Sequence, residues 1–268
     1  MRLKIVVIVS LVAILLLAVN PVAAISDGTE DGNGHPYVGL MVAIDASGAP
    51  LWRCSGTLMS PTVFLTAGHC TEAPAVRAEI WFDADMQTNA ALKGYPTNGQ
   101  AHGTTYTHPQ FNPTAFYLYD LGVVVLDAPH PMSQYGALPA QNVLDSLARR
   151  RGVQDVTFTA VGYGLQQSFP DAAAWKEHNV KVRMVATPHL IQINTGFTGR
   201  DSLLLSNNAS TGGTCFGDSG GPNFIGNSNV VGAVTSFGIN GNCAGTGGVY
   251  RVDRADALNW LATFGIVP

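Results

Sequence analysis

The chain has 268 residues, with 14 Lys+Arg against 18 Asp+Glu and a formal net charge of −4. That length suits one large domain or two small ones. The acidic balance excludes a nucleic-acid partner, which would want a basic footprint. The one dense basic run, Arg149-Arg150-Arg151, is followed by glycine and reads as a solvated loop.

Arg2 and Lys4 open the chain and an almost unbroken apolar run follows over 5–19. Asn20 and Pro21 end it, and Val22-Ala23-Ala24 places small residues where a signal peptidase cuts. The run is shorter than the roughly 20 apolar residues of a spanning helix. Residues 1–24 are therefore expected to be a cleaved secretion signal, leaving a secreted chain that starts at Ile25 and has no stable membrane anchor. No cysteine lies near the cut to carry a lipid.

Beyond it, short apolar stretches recur between Gly, Pro, Asn and Asp clusters, at 37–43, 63–65, 121–126, 156–161, 180–185 and 230–237. Several are rich in Val and Ile, as strands are, so the fold class is all-β. Residues 128–140 hold three prolines and read as a linker between two halves, 25–135 and 136–268. A short helix is expected over 143–150. A longer one closes the chain, with Leu258, Leu261 and Phe264 on one face and Trp260 nearby. Asp253 or Asp256 would cap its start and Gly265 would stop it.

Four cysteines, Cys54, Cys70, Cys215 and Cys243, follow the leader. An even count behind an export signal reads as disulfides. Three connectivities are open, and pairing nearest neighbours would close the shortest loops. No C-x-x-C or H-x-x-x-H spacing supports zinc, so neither metal nor cofactor is expected. Asn208-Ala209-Ser210 is a glycosylation sequon.

Gly217-Asp218-Ser219-Gly220-Gly221 offers a serine flanked by glycines. A serine hydroxyl needs a base to become a nucleophile, and the glycines leave N–H groups free to face a developing oxyanion. The segment fits the G-x-S-x-G elbow of α/β-hydrolases, but that fold places its histidine after the serine. None of His35, His69, His102, His108, His130, His178 and His189 follows Ser219. The base must lie upstream. His69, after a strand-like stretch and beside Cys70, has the most rigid setting, and catalysis requires rigidity. Asp120, at the entrance of the 121–126 strand, is favoured to orient the imidazole, with Asp127 at the other end as its rival.

Thr66-Ala67-Gly68-His69-Cys70, Asp120-Leu121-Gly122-Val123-Val124 and Gly217-Asp218-Ser219-Gly220-Gly221-Pro222 are similar to the three active-site blocks of the trypsin/chymotrypsin-like serine proteases, in the same order. The resemblance runs from near Ile25 to the terminal helix. It implies two six-stranded antiparallel β-barrels packed face to face, a C-terminal α-helix, and a site in the cleft between the barrels. His69 and Asp120 would come from the first barrel and Ser219 from the second. Ser219 would attack a peptide carbonyl, with His69 as base and then acid, and with the N–H groups of Gly217 and Ser219 as the oxyanion hole.

The resemblance also implies the disulfides Cys54–Cys70 and Cys215–Cys243. Gly213 stands where trypsin-like enzymes place the aspartate that binds Lys or Arg. Ser236-Phe237-Gly238 resembles the strand that pairs with substrate, and Gly238 and Gly248 would leave the pocket open to a large apolar residue. Thr235 replaces the histidine of glutamate-specific relatives. Asp218 would pair with the amine of a new N-terminus at Ile25, so signal removal alone would activate the enzyme. The implied partners are polypeptide substrates and protein protease inhibitors, bound by a monomer. A non-catalytic binding protein on the same fold is the alternative.

Overall fold

The computed structural model describes residues 25–115, 117–149, 156–167 and 179–268. The expected leader, His178 and most of the arginine run lie outside the described residues. Among those described, no helix is long and apolar enough to cross a membrane.

A closed six-stranded barrel forms the first half. Strand β1 (Thr29–Glu30) precedes it, and its own strands are β2 (Val38–Asp45), β3 (Pro50–Ser60), β4 (Val63–Thr66), β5 (Ala75–Trp81), β6 (Ala101–Thr107) and β7 (Gly122–Leu126). They close antiparallel in the order β2-β3-β4-β7-β6-β5. A barrel leaves no exposed sheet edge, and its interior takes Met41, Leu58, Phe64, Ile80 and Val124. Gly56 has a steric reason to be glycine: a Cβ there would stand 2.3 Å from the Phe64 ring.

The second half is built from β8 (Phe158–Gly162), β9 (Met184–Ala186), β10 (Leu190–Ile193), β11 (Ser202–Asn207), β12 (Pro222–Ile225), β13 (Val231–Gly238) and β14 (Gly245–Arg251). These form a curled sheet in the order β1-β9-β8-β12-β13-β14-β11-β10. The β8–β9 ladder continues through a Thr157–His189 bridge, so β9 and β10 run as one strand bent near 187–189. The bend lets the sheet curl around Phe158, Leu203, Leu205, Ala233 and Val249, with Leu144 entering from a 3-10 turn at Val143–Arg149. The all-β class, a closed six-stranded first barrel and a terminal helix are observed as expected; the second half is not a closed six-stranded barrel but an eight-stranded curled sheet, a half-barrel that takes β1 of the N-terminal segment as its edge strand.

Some boundaries differ from the sequence reading for physical reasons. Only 184 and 185 of the 180–185 stretch belong to β9 of the second sheet; 181–183 bonds instead to 84–86 of the first half. The terminal helix, α2, spans Ala255–Ala262 after a one-turn α1 at Gly68–Thr71. Leu258 and Leu261 are buried by it as expected. Its cap is Arg254, without a side-chain bond, because Asp253 is committed elsewhere. Asp253 is fully buried and accepts from Arg251 at 2.8 Å and from the Leu144 N–H at 2.9 Å. Asp256 sits in the first turn, where its charge favours the helix dipole.

A buried arginine joins the halves. Arg183, on the approach to β9, has no solvent exposure. Its Nε donates to Asp31 Oδ2 at 2.9 Å, Nη2 to the Gly32 carbonyl at 2.7 Å, and Nη1 to the Phe82 carbonyl at 3.0 Å. One guanidinium thus holds the N-terminal segment, the first barrel and the second sheet. Removing one partner of a buried pair strands the other's charge. Arg183→Met is therefore expected to lower the unfolding free energy by about 3–5 kcal/mol, measured by urea titration. A loss under 1 kcal/mol would show the fork to be dispensable.

Candidate active site

His69 lies on α1, which β4 delivers directly to the edge of the first barrel. Asp120 lies just before β7, the neighbour of β4, so the barrel ladder sets their separation. Tyr119, at φ 53°, makes the sharp turn that points Asp120 back toward α1. The carboxylate is fully buried. It accepts from the His69 backbone N–H at 2.9 Å and from His69 Nδ1, at 2.9 Å to Oδ2 and 3.1 Å to Oδ1. Ser236 Oγ of β13 donates to Oδ2 at 2.5 Å. Nδ1 beside a carboxylate carries the proton, which leaves Nε2 of the neutral ring able to accept one. Burial pulls the His69 pKa down, but the charge and hydrogen bond of Asp120 and the charge of Glu72 outweigh it, and the net shift is upward from 6.5.

The rival carboxylate is elsewhere. Asp127 pairs with Arg77 and lies 3.6 Å from His102 Nε2. His35 is held by Asp31 at 2.5 Å, and His108 is buried against Tyr119.

The Ser219 loop is fastened from both sides. Ser55 of β3 takes the Ser219 carbonyl on its N–H at 2.8 Å and gives its Oγ to the Gly217 carbonyl at 2.9 Å. Gly220 N–H reaches the Thr235 carbonyl at 2.8 Å. Gly217 and Gly220 take φ of +97° and +76°, and a Cβ at Gly220 would stand 2.0 Å from Thr66 Oγ1. Among the described residues, the N–H groups of Gly217 and Ser219 have no protein acceptor. That is the state an oxyanion hole requires before substrate arrives.

Asp218 points the other way and is fully buried. It accepts from Gly164 N–H at 2.7 Å and Cys215 N–H at 2.9 Å. Burial raises its pKa to about 7 despite those bonds and the nearby Arg53 charge. Ile25 is also fully buried, against Ala160, Met184 and Ala186, and Ser26 bridges Gly213. Asp218 packs on Gly162 and Gly164, just beyond Ala160 on the same chain segment.

Two cavities meet at Ser219 and His69. One, of about 300 Å³, is lined by Thr214, Phe216, Thr235, Ser236, Phe237 and the Cys215–Cys243 disulfide. Gly238 borders it, but Gly213 and Gly248 stand behind it. The Phe237 ring covers Gly248 so closely that a Cβ would stand 2.3 Å from it, and Gly213 packs on Asn207. The expected open space over Gly248 is thus filled by Phe237. Asn207 was missed in the sequence. It is a buried amide whose Nδ2 donates to the Thr214 carbonyl at 2.7 Å while Oδ1 has no partner among the described residues. A polar residue ending the apolar run 203–205 was the available signal. The other cavity, of about 790 Å³, runs along Leu51–Cys54 to Lys181. Cys54 and Cys70 are joined as a disulfide beside His69, so their sulfurs are not free to ligate a metal. Asn208 of the sequon is exposed in a turn.

A family model, Trypsin, matches residues 27–261. The chain belongs to the trypsin family. A solved structure of HL collagenase aligns with a TM-score of 0.67 at 22% identity, covering 90% of this chain and 99% of that one. Human heparin binding protein aligns with a TM-score of 0.62 at 16% identity, covering 87% and 92%. These identities speak for the fold. One trypsin-like serine protease fold thus carries both a protein named for hydrolysis and one named for binding.

Ser236 gives a test of how this trypsin-family site is tuned. Without its hydroxyl, Asp120 would keep more of its charge for the imidazolium, and the His69 pKa would rise further. Ser236→Ala is expected to move the acid limb of activity to higher pH and to lower kcat/KM by about tenfold. An unmoved limb would deny the hydroxyl any hold on Asp120.

Proposed function

We propose that the chain is a secreted serine endopeptidase working through Ser219, His69 and Asp120. The observation that carries this reading is the His69 imidazole, oriented by a buried carboxylate and lining the same two cavities as Ser219. Nε2 takes the Ser219 proton as Oγ attacks the scissile carbonyl. The oxyanion meets the N–H groups of Gly217 and Ser219. Asp120 stabilises the imidazolium, which then protonates the leaving amine, and water repeats the sequence on the acyl-enzyme. Residues 25–135 supply the base and 136–268 the nucleophile. The leader and two disulfides fit an extracellular setting.

The pocket favours uncharged residues before the scissile bond. Thr214 and the buried Asn207 offer no charge, Gly213 withholds an aspartate, and Phe237 narrows the space that Gly248 leaves. Peptide-library profiling should show apolar residues at this position, with Lys and Arg disfavoured. Phe237→Ala should shift the preference to larger side chains. Ser219→Ala should abolish labelling by a fluorophosphonate and reduce turnover by about 10⁶-fold. A wild-type protein that folds but neither labels nor cleaves would favour the binding-protein alternative.

Asp218 supports activation by signal removal. A carboxylate with a native pKa near 7 and an unfolded value of 3.8 contributes stability below pH 3.8 that is lost as pH rises through 7. An Ile25 amine arriving beside it would reverse that loss. The exported protein should begin at Ile25 by N-terminal sequencing. A chain extended by one residue should melt lower at pH 8, with less difference at pH 5. Equal melting at both would sink this pairing.

A further inference from the structure

The larger cavity bears a charge that the catalytic reading leaves unused. Arg53 and Lys181 both line it, on the side of Ser219 away from β13. Neither makes an ion pair with a carboxylate among the described residues. Arg53 Nη2 donates to the neutral Asn179 Oδ1. Lys181 Nζ reaches Gln87 Oε1 at 3.4 Å and lies 5.3 Å from the centre of the Tyr95 ring. Both sit partly out of water, and burial lowers the pKa of each, for Arg53 against the raising effects of Tyr95 and the Asp218 charge, and for Lys181 together with the charge of Arg53. Two cations lining one cleft direct a positive field into its open space.

Of the nearby acids, Asp218 acts on Arg53 through its charge, but neither it nor Glu72 forms an ion pair with the two cations among the described residues. Asp218 lies behind Gly217, enclosed, with both oxygens on backbone N–H groups. Glu72 lines the cavity too, but its electrostatic partners are His69 and Asp120. The acyl half of a substrate would follow β13 and the smaller cavity. What remains for the larger one is the half that leaves as the amine.

We propose that this cavity is a subsite for an acidic side chain in the leaving half of the substrate, recognised by Arg53 and Lys181. It rests on the endopeptidase reading and deepens it. A carboxylate there meets a planar guanidinium and a mobile ammonium at once, and the positive field draws acidic segments toward the cleft before contact.

The test uses end-capped, internally quenched peptides with one acyl half, bearing Glu, Gln or Lys at each of the first three positions after the scissile bond. At one of them Glu should exceed Gln in kcat/KM by about fivefold, with Lys below Gln, and added salt should flatten the series. Lys181→Glu should reverse the order, and Arg53→Gln should shrink the Glu advantage. A parallel pair with a free or amidated C-terminus reports whether a terminal carboxylate is also taken. Equal rates for Glu, Gln and Lys, or an order unmoved by Lys181→Glu, would overturn the inference. So would an acid preference confined to the acyl half. A small ester with no leaving-half residues separates the two readings. Ester turnover with no acid preference removes only this subsite, whereas no turnover of ester or peptide removes the endopeptidase reading and the subsite with it.

Discussion

Asp120 is a carboxylate removed entirely from water, and the site is arranged around satisfying it. An isolated buried charge costs several kcal/mol, so its oxygens must be filled by donors held in place. Three arrive from two directions: the His69 backbone N–H and Nδ1 from α1, and Ser236 Oγ from β13. The first two belong to the first barrel and the third to the second sheet. The carboxylate thereby fixes the imidazole and ties it to the strand beside the smaller cavity. Docking of the two halves and orientation of the imidazole are one constraint.

The serine loop obeys a complementary rule. Asp120 gathers donors, whereas the loop gives its carbonyls away and keeps N–H groups free. Ser55 takes the Ser219 and Gly217 carbonyls, and Gly220 N–H is turned to Thr235. That leaves the Gly217 and Ser219 N–H groups without an acceptor among the described residues, in two residues that line the larger cavity. The positive φ at Gly217 and Gly220, and the contact of Gly220 with Thr66, make this backbone available to glycine and strained for other residues. The glycines of the motif are thus explained by sterics on both barrels, independently of any chemistry.

Much of this was legible in the sequence because it is encoded locally. Short apolar runs mark strands β4, β7 and β13, and the glycine-flanked Ser219 marks a tight loop. The absence of a later histidine removes a whole fold class. What was hidden depends on contacts between distant segments. Nothing local says that Arg183 reaches Asp31, that Asp253 serves Arg251 and Leu144 instead of capping α2, or that Phe237 lies over Gly248. The choice of Asp120 over Asp127 was open from the residues alone. The barrel ladder decides it by setting Asp120 beside α1 and Asp127 beside Arg77.

Binding alone would not call for this arrangement. A surface built only to hold a partner has no use for a buried carboxylate whose effect is to raise the basicity of one ring edge, and replacing such a group with apolar packing is often neutral or stabilising. His69 spends Nδ1 on Asp120 and leaves Nε2 on the opposite edge, while burial and Asp120 pull its pKa in opposing directions. The net effect raises the basicity of the imidazole, which matters for a base and not for a contact residue. The heparin binding protein on the same fold shows that the scaffold can serve without hydrolysis in its name. In this chain His69 and Ser219 line the same two cavities. The endopeptidase reading accounts for the buried acid, the oriented ring and the two unpaired N–H groups together.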